Sequence, residues 1–247
     1  MSYNKSVKDE IMNIQNSFKQ GLEDSIPIAV GYFSVSITFG MLAAANNVPI
    51  WVAVVISLTC LTSAGQYGGM ALIIEGAPLM EVALSQLIIN SRYLLMSLSL
   101  TQKIDKKLST WQRSLISFGI TDEIFAMASS KEGKIGARYM AGLIILPVIG
   151  WTLGTLTGGI ATSLMPKSLQ NALGIAIYGM FLAIIIPPAK KSHPIRIVLC
   201  ISILCSCIIA IIKPWVEISS GFAIIICTLI AAGFGAYFFP VKEDNNE

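Results

Sequence analysis

Charge is scarce in this 247-residue chain: 13% of its residues are Asp, Glu, Lys or Arg, against about 25% in ordinary soluble domains. That scarcity excludes a soluble globular enzyme of ordinary composition, and 54% hydrophobic residues with a mean hydropathy of +0.72 mark a membrane protein. Histidine is nearly absent. The single one, His193, stands in Lys190-Lys191-Ser192-His193-Pro194 with no second histidine for a metal site or catalytic dyad, and reads as a solvated loop residue. Cysteine is present but in no usable pattern: Cys60, Cys200, Cys205, Cys207 and Cys227 are odd in number and lie in apolar runs. That placement argues against a disulfide framework or a metal cluster and for small apolar packing residues. A strong charge of one sign is lacking too. The net +3 reflects basic loops rather than a polyanion-binding face, so nucleic acid is not expected as a partner, and no cofactor is expected either. Finally, there is no room for a separate aqueous domain, because each helical crossing of a hydrocarbon core of roughly 30 Å uses about 20 residues and this length holds about six to eight crossings.

Residues 1–24 are mixed in charge and have no compact apolar core, so they do not read as a signal peptide. Val7, Ile11, Ile14 and Phe18 recur at helical spacing and predict either an interfacial helix on the membrane surface or a plain cytoplasmic lead-in. The expected organisation is this lead-in (1–24), one transmembrane transport domain (25–239) and a polar cytoplasmic tail (240–247). Six stretches read as full spans: 25–45, 79–100, 139–164, 169–186, 195–212 and 218–239. In the first, Asp24 or Ser25 is the expected cap, Pro27 falls in the first turn, and Asn46 and Asn47 end the helix.

Two stretches resist. Residues 49–74 are interrupted by Thr62-Ser63-Ala64-Gly65-Gln66-Tyr67-Gly68-Gly69, and residues 114–130 carry Asp122 and Glu123 at their centre. Lysine and arginine in short loops stay cytoplasmic. If both stretches crossed fully, the loop with Lys103, Lys106, Lys107 and Arg113 would lie outside while the lysine-free turn at 75–81 faced in. If each instead enters and returns, the first from outside and the second from inside, only Lys167 and Lys213 remain outside. The reading is therefore an all-α polytopic membrane protein of about six full transmembrane helices plus two re-entrant, broken half-helix hairpins, with both termini cytoplasmic. A seven- or eight-span layout is the alternative. Broken helices at depth line a cavity and, entering from opposite faces, resemble the midplane sites of inverted-repeat transporters. Here the inverted symmetry is one of hydropathy, without a residue-level repeat.

The polar islands carry the candidate chemistry. Ser63-Ala64-Gly65-Gln66 has capping-box spacing for a second half-helix, whose buried N-terminus would present N–H groups to an anion; Gly65, Gly68 and Gly69 permit close approach. The bland alternative is a helix end that satisfies only itself. Gly119 followed by Thr121-Asp122-Glu123 predicts a second cap with two acids in its first turn, either placed there for the dipole or functional at depth. Arg92 lies well inside its span and calls for an acidic partner, Asp122 or Glu123, in a structural or a transport-linked pair. Gly150, Gly154 and Gly158 form a small-residue packing ridge for a helix of this chain or of a partner.

These segments, with the opening helix from Pro27 to Gly40, resemble the AzlC-type branched-chain amino acid permease family. The resemblance rests on Ser63-Ala64-Gly65-Gln66-Tyr67, Asn90-Ser91-Arg92-Tyr93-Leu94-Leu95-Met96 and Thr121-Asp122-Glu123-Ile124-Phe125-Ala126. It covers about the first half of the chain; beyond it only length and hydropathy agree. Members often carry Arg-His where this chain has Arg92-Tyr93, which removes a histidine from any proton role there. The resemblance implies a plasma-membrane exporter of leucine, isoleucine, valine and analogues, not an enzyme, working with a small AzlD-type membrane subunit.

A zwitterion needs a donor site, an acceptor site and an apolar pocket. The expected substrate-binding residues are Ser63, Ala64, Gly65, Gln66, Tyr67 and Asn90, with the helix start taking the carboxylate and Phe33, Phe39 and Tyr67 walling the pocket. Arg92, Asp122 and Glu123 are the expected proton-coupling or ion-pair residues. A channel, a membrane-embedded hydrolase and a non-transporting scaffold subunit are the alternatives from other classes.

Overall fold

The computed structural model describes residues 17–162, 185–216 and 218–240, with positions 164, 166, 168, 179 and 182. Most of the lead-in, most of the expected span at 169–186, Lys167 and the tail from 241 lie outside the described residues. Among the described residues regular structure is helical, apart from one isolated bridge between Ile104 and Ile135.

The first helix, α1 (Phe18–Ala45), begins about two turns earlier than the sequence suggested. Ser17, not Asp24 or Ser25, is its cap, with the Ser17 hydroxyl accepting from the Gln20 N–H at 3.2 Å. The polar start is sustained by neighbours one turn apart: Gln20 donates to Asp24 at 3.0 Å and Lys19 pairs with Glu23 at 3.7 Å. Pro27 therefore sits inside the helix rather than in its first turn. The other end is as expected, with Asn46 as C-cap and Asn47 at φ 59.

The first awkward stretch is a broken helix: α2 (Ile50–Thr59), an interruption at 60–62, and α3 (Ser63–Ile74). After a turn at Gly76 comes α4 (Leu79–Thr101). The second is broken in the same way, α5 (Thr110–Phe118), an interruption at 119–121, and α6 (Asp122–Ser130). Then follow α7 (Ala137–Thr162), α8 (His193–Ile212) and α9 (Ser220–Phe238), with residues 185–191 also helical. Among the described residues four helices, α1, α7, α8 and α9, are long and apolar enough to cross a membrane, matching four of the six expected spans. At 23 residues α4 is long enough as well, but Glu81, Asn90 and Arg92 keep its composition too polar to stand with them.

The described residues fall into two compact units, one holding those up to Gln66 and from Ser91 to position 168, the other those from Tyr67 to Asn90 and from position 179 on. In the first, α1 and α7 lie against each other in parallel. A Cβ added at Gly142 would come within 2.2 Å of the Phe18 carbonyl oxygen, at Gly150 within 2.5 Å of Ala29, at Gly154 within 2.3 Å of Phe33, and at Gly158 within 2.0 Å of Ile37. The two series of residue numbers rise together. The expected small-residue ridge thus seats a helix of its own chain, at backbone-to-backbone contact that no side chain could share. Along the far half of α7 runs α2, with Ile50 against Gly159 and the Ser57 and Thr155 hydroxyls 2.7 Å apart.

The broken element α5–α6 packs through Ile116, Ile120, Ile124 and Ala128 on a buried cluster that includes Tyr139, Met140 and Leu143 of α7. Its two ends are tied together. The Asp105 N–H donates to the Ile135 carbonyl at 3.0 Å and the Ile135 N–H to the Lys103 carbonyl at 2.9 Å. The Lys103 ammonium donates to the carbonyls of Ser129 and Lys131 at the end of α6, completing a helix C-terminus. Lys131 pairs with Asp24 at 2.6 Å, and the Tyr139 hydroxyl donates to Asp24 at 2.8 Å, so the starts of α1 and α7 meet the same cluster.

In the second unit, α3 runs back along the first part of α4, with Gly68 beside Ile89 and Gly69 beside Gln86. Glu81 caps α9 from outside: Ser219 and the Gly221 N–H, the latter at 3.0 Å, both donate to its carboxylate. Helices α8 and α9 pack together, with Val198 against Gly235. All five cysteines are free, and Cys200 and Cys207 are exposed on α8.

Candidate functional site

The two helix interruptions meet on one aromatic pair. Tyr32, midway along α1, and Trp151, midway along α7, lie edge to face with ring centroids 5.2 Å apart, and Leu61 of the first interruption packs on both. Each ring carries a polar tip that must find a partner when buried. The Trp151 indole N–H donates to the Gln66 side-chain oxygen at 2.7 Å. The Tyr32 hydroxyl lies 2.6 Å from the Thr121 hydroxyl and donates to Glu123 at 2.5 Å. Through this pair Gln66 of the first break and Thr121 and Glu123 of the second share one neighbourhood inside a single compact unit.

The first break is built differently from the sequence expectation. Thr62, not Ser63, caps α3, its hydroxyl accepting from the Gly65 N–H at 2.9 Å. Gln66 does not reach back to the helix start. Its amide nitrogen donates to Ser57 at 2.6 Å, and the Ser57 hydroxyl continues to Thr155. The capping box expected of Ser63 and Gln66 is thus overturned: with Thr62 already capping, the buried Gln66 is free to satisfy Trp151 and Ser57 instead. Ser63 and Ala64 are half-buried at the start of α3, where first-turn N–H groups have no partner within the helix; Gly65 and Gln66 are buried behind them.

The second break follows expectation. Thr121 caps α6, accepting from the Ile124 N–H at 3.4 Å, with Asp122 and Glu123 in the first turn. Successive helix positions point about 100° apart, so the two acids face different partners. Asp122 pairs with Arg92 of α4 at 2.9 Å. Glu123 meets the neutral Tyr32 hydroxyl, and among the described residues no cation pairs with it. The Arg92 guanidinium also donates to the Tyr93 hydroxyl at 3.0 Å and stacks 4.9 Å over its ring, while Tyr93 is hydrogen-bonded to the Thr62 side chain. Arg92 is thereby one side chain removed from the start of α3.

Of the expected site residues, Ser63, Ala64, Gly65, Gln66, Arg92, Asp122 and Glu123 belong to this unit. Asn90 and Tyr67 belong to the other, where Asn90 donates to Gln86 at 3.0 Å and Tyr67 is buried. Phe39 is fully buried and Phe33 is exposed, its backbone against Gly154. Tyr32, Trp151, Ser57 and Thr155 were not singled out from the sequence. A tyrosine and a tryptophan in mid-span, each with a polar tip and no neighbour in sequence to satisfy it, were the available signal.

The AzlC protein family model matches residues 27–165. The chain is 26% identical over 184 residues to "Inner membrane protein YgaZ" of Escherichia coli, covering 72% of this chain and 75% of that protein. It is 28% identical over 179 residues to an "Uncharacterized membrane protein" of Archaeoglobus fulgidus, covering 71% and 78%, and 29% identical over 150 residues to one of Helicobacter pylori, covering 60% and 65%. No solved structure matches. The matched stretch holds α1 from Pro27 on, both broken helices, Arg92 and α7, and with them the whole site; this membrane protein belongs to the AzlC family.

Proposed function

We propose that the chain is the transport subunit of a proton-coupled secondary transporter that exports branched-chain amino acids across the plasma membrane, working with a small AzlD-type membrane subunit. The observation that carries this reading is the convergence of two helix breaks, one with a helix start and one with a cation-free acid, on the Tyr32–Trp151 pair. A membrane protein keeps non-helical backbone and charge at depth only where a cavity or protein covers them.

The breaks are read as two re-entrant hairpins. For the second, support comes from the bonds that tie residues 103–105 to 129–135, which bring the start and end of α5–α6 to one side. For the first, α2 approaches the middle of α7 from its C-terminal end, and α3 leaves beside the first half of α4. With both breaks re-entrant, the tendency of loop lysine and arginine to stay inside supports a cytoplasmic side for the basic loops and the termini.

An amino acid zwitterion fits the chemistry. The first-turn N–H groups of α3 suit a carboxylate. Glu123 meets a hydroxyl and, among the described residues, no cation, which leaves it to receive an ammonium group or a coupling proton, whereas Asp122 is already paired with Arg92. The small, aromatic and apolar surroundings suit a branched aliphatic side chain.

The test is flux of radiolabelled leucine in liposomes under an imposed proton gradient, with and without the small subunit. Glu123→Gln is expected to abolish gradient-driven flux and Asp122→Asn to lower it; full activity of both at wild-type expression removes the acids from the mechanism. Flux that follows only the leucine gradient, indifferent to pH, identifies a channel.

A further inference from the structure

Arg92 holds more hydrogen-bonding capacity than the structure uses. Its guanidinium has five N–H donors in a rigid fork. One terminal nitrogen serves Asp122 at 2.9 Å and the Tyr93 hydroxyl at 3.0 Å. The Nε atom is buried and has no hydrogen-bond partner. Leaving a buried donor unsatisfied is costly, most of all on a charged group, so a native protein retains one where something else completes it. The chemistry of the missing partner is restricted. A guanidinium can only donate, so the partner is an acceptor, and next to a full positive charge a planar anionic acceptor is favoured over a neutral one.

The position agrees. Arg92 stacks on Tyr93, Tyr93 is hydrogen-bonded to the cap residue Thr62, and the first turn of α3 follows at Ser63 and Ala64. On its other side Asp122 leads to Glu123 and Tyr32. An acceptor arriving at Nε would therefore lie between the start of one half-helix and the acid of the other.

We infer that Arg92 is the carboxylate anchor of the transported amino acid, its Nε–H donating to the substrate carboxylate while the Asp122 pair fixes the guanidinium plane. This rests on the amino acid transport reading above and assigns to a side chain the role that the helix start alone would otherwise fill. Asp122 is then a positioning residue, acting on the substrate through Arg92, and Glu123 is left for the amine or the proton.

The experiment compares leucine with 3-methylbutylamine, which keeps the side chain and the amine but lacks the carboxylate. Binding of each is measured by thermal stabilisation of the purified full chain. Arg92→Lys keeps a positive charge for Asp122 and removes the Nε–H fork. It is expected to weaken leucine binding roughly 10- to 100-fold, while the amine changes by less than about twofold. Equal weakening of both probes, or wild-type leucine affinity in the variant, overturns the assignment while leaving the transport reading in place. If leucine fails to stabilise the wild type, the transport reading falls and this inference with it. Because the lysine variant can lose folding, the doubly neutralised Arg92→Gln/Asp122→Asn variant, which leaves neither member of that pair as a lone charge, provides the second measurement. It is expected to bind leucine no better than 3-methylbutylamine, and a wild-type preference for leucine in that folded variant overturns the assignment.

Discussion

Gln66 commits both ends of one amide. Its oxygen takes the Trp151 N–H at 2.7 Å and its nitrogen gives to Ser57 at 2.6 Å, so one side chain fastens the first interruption to α7. Gln66→Ala would leave a buried indole N–H and a buried hydroxyl with one partner fewer, at a cost of about 1–3 kcal/mol for each group left unsatisfied. The expected result is a lower thermal denaturation midpoint in detergent. A variant as stable as wild type would show that the amide is not what holds the break. The sequence made Ser63 and Gln66 a capping box because that pattern is local, three residues apart. The bonds that win are to Ser57 and to Trp151, the latter 85 residues away in sequence. The acids illustrate the opposite case. Thr121 as cap and two carboxylates in the first turn were legible, since a cap is a local device; which acid meets Arg92 required the rotation of α6 against its neighbours.

At the scale of elements, the α1–α7 contact decides how close two backbones come. Gly158 faces the Ile37 carbonyl, where an added Cβ would stand 2.0 Å from oxygen; Gly233 of α9 has no atom within 4 Å of such a Cβ. Gly158→Ala is expected to destabilise by about 1–3 kcal/mol or more, as overpacking does, and Gly233→Ala to leave stability unchanged, both read as the folded fraction after extraction and size exclusion. The half-helices follow from length. At 1.5 Å per residue the ten residues of α2 reach about 15 Å and the nine of α5 about 14 Å, half a hydrocarbon core. Gly119 ends α5 where an added Cβ would strike Ile144 at 2.4 Å. The interruption is thus set by close packing as well as by the glycine's own flexibility.

For the whole molecule the sharpest consequence is sidedness. If the second broken element returns to the side it left, as proposed, single cysteines at Lys106 and Lys134 in a cysteine-free background should both react with an impermeant maleimide from the cytoplasmic side only. One at Ala77 should react from outside only. Lys106 and Lys134 labelling from opposite sides would mean that α5–α6 crosses, and the re-entrant reading would be withdrawn. The hydrogen bonds from Lys103 to Ser129 and Lys131 and from Lys134 to Gln102 predict the first outcome. Hydropathy placed four of the apolar helices and the two interruptions, and loop lysines suggested the sidedness that this labelling tests. It misplaced the start of α1, because the turns before Asp24 are polar and hydropathy registers lipid-facing surface rather than helix.

Composition and pattern by themselves determined that this is a helical membrane protein, where four of its uninterrupted apolar helices run, and that Arg92, Asp122 and Glu123 break otherwise apolar stretches. These properties are additive along the chain: each helix meets the bilayer or fails to by its own residues. Only the tertiary structure decided that α1 and α7 run in parallel on a glycine ridge, that Tyr32 and Trp151 join the two breaks, and that Arg92 takes Asp122 while Glu123 takes Tyr32. Pairings of that kind join residues tens of positions apart, and a buried polar tip is satisfied by whichever neighbour the packing of whole helices brings within hydrogen-bond reach, which no local pattern encodes.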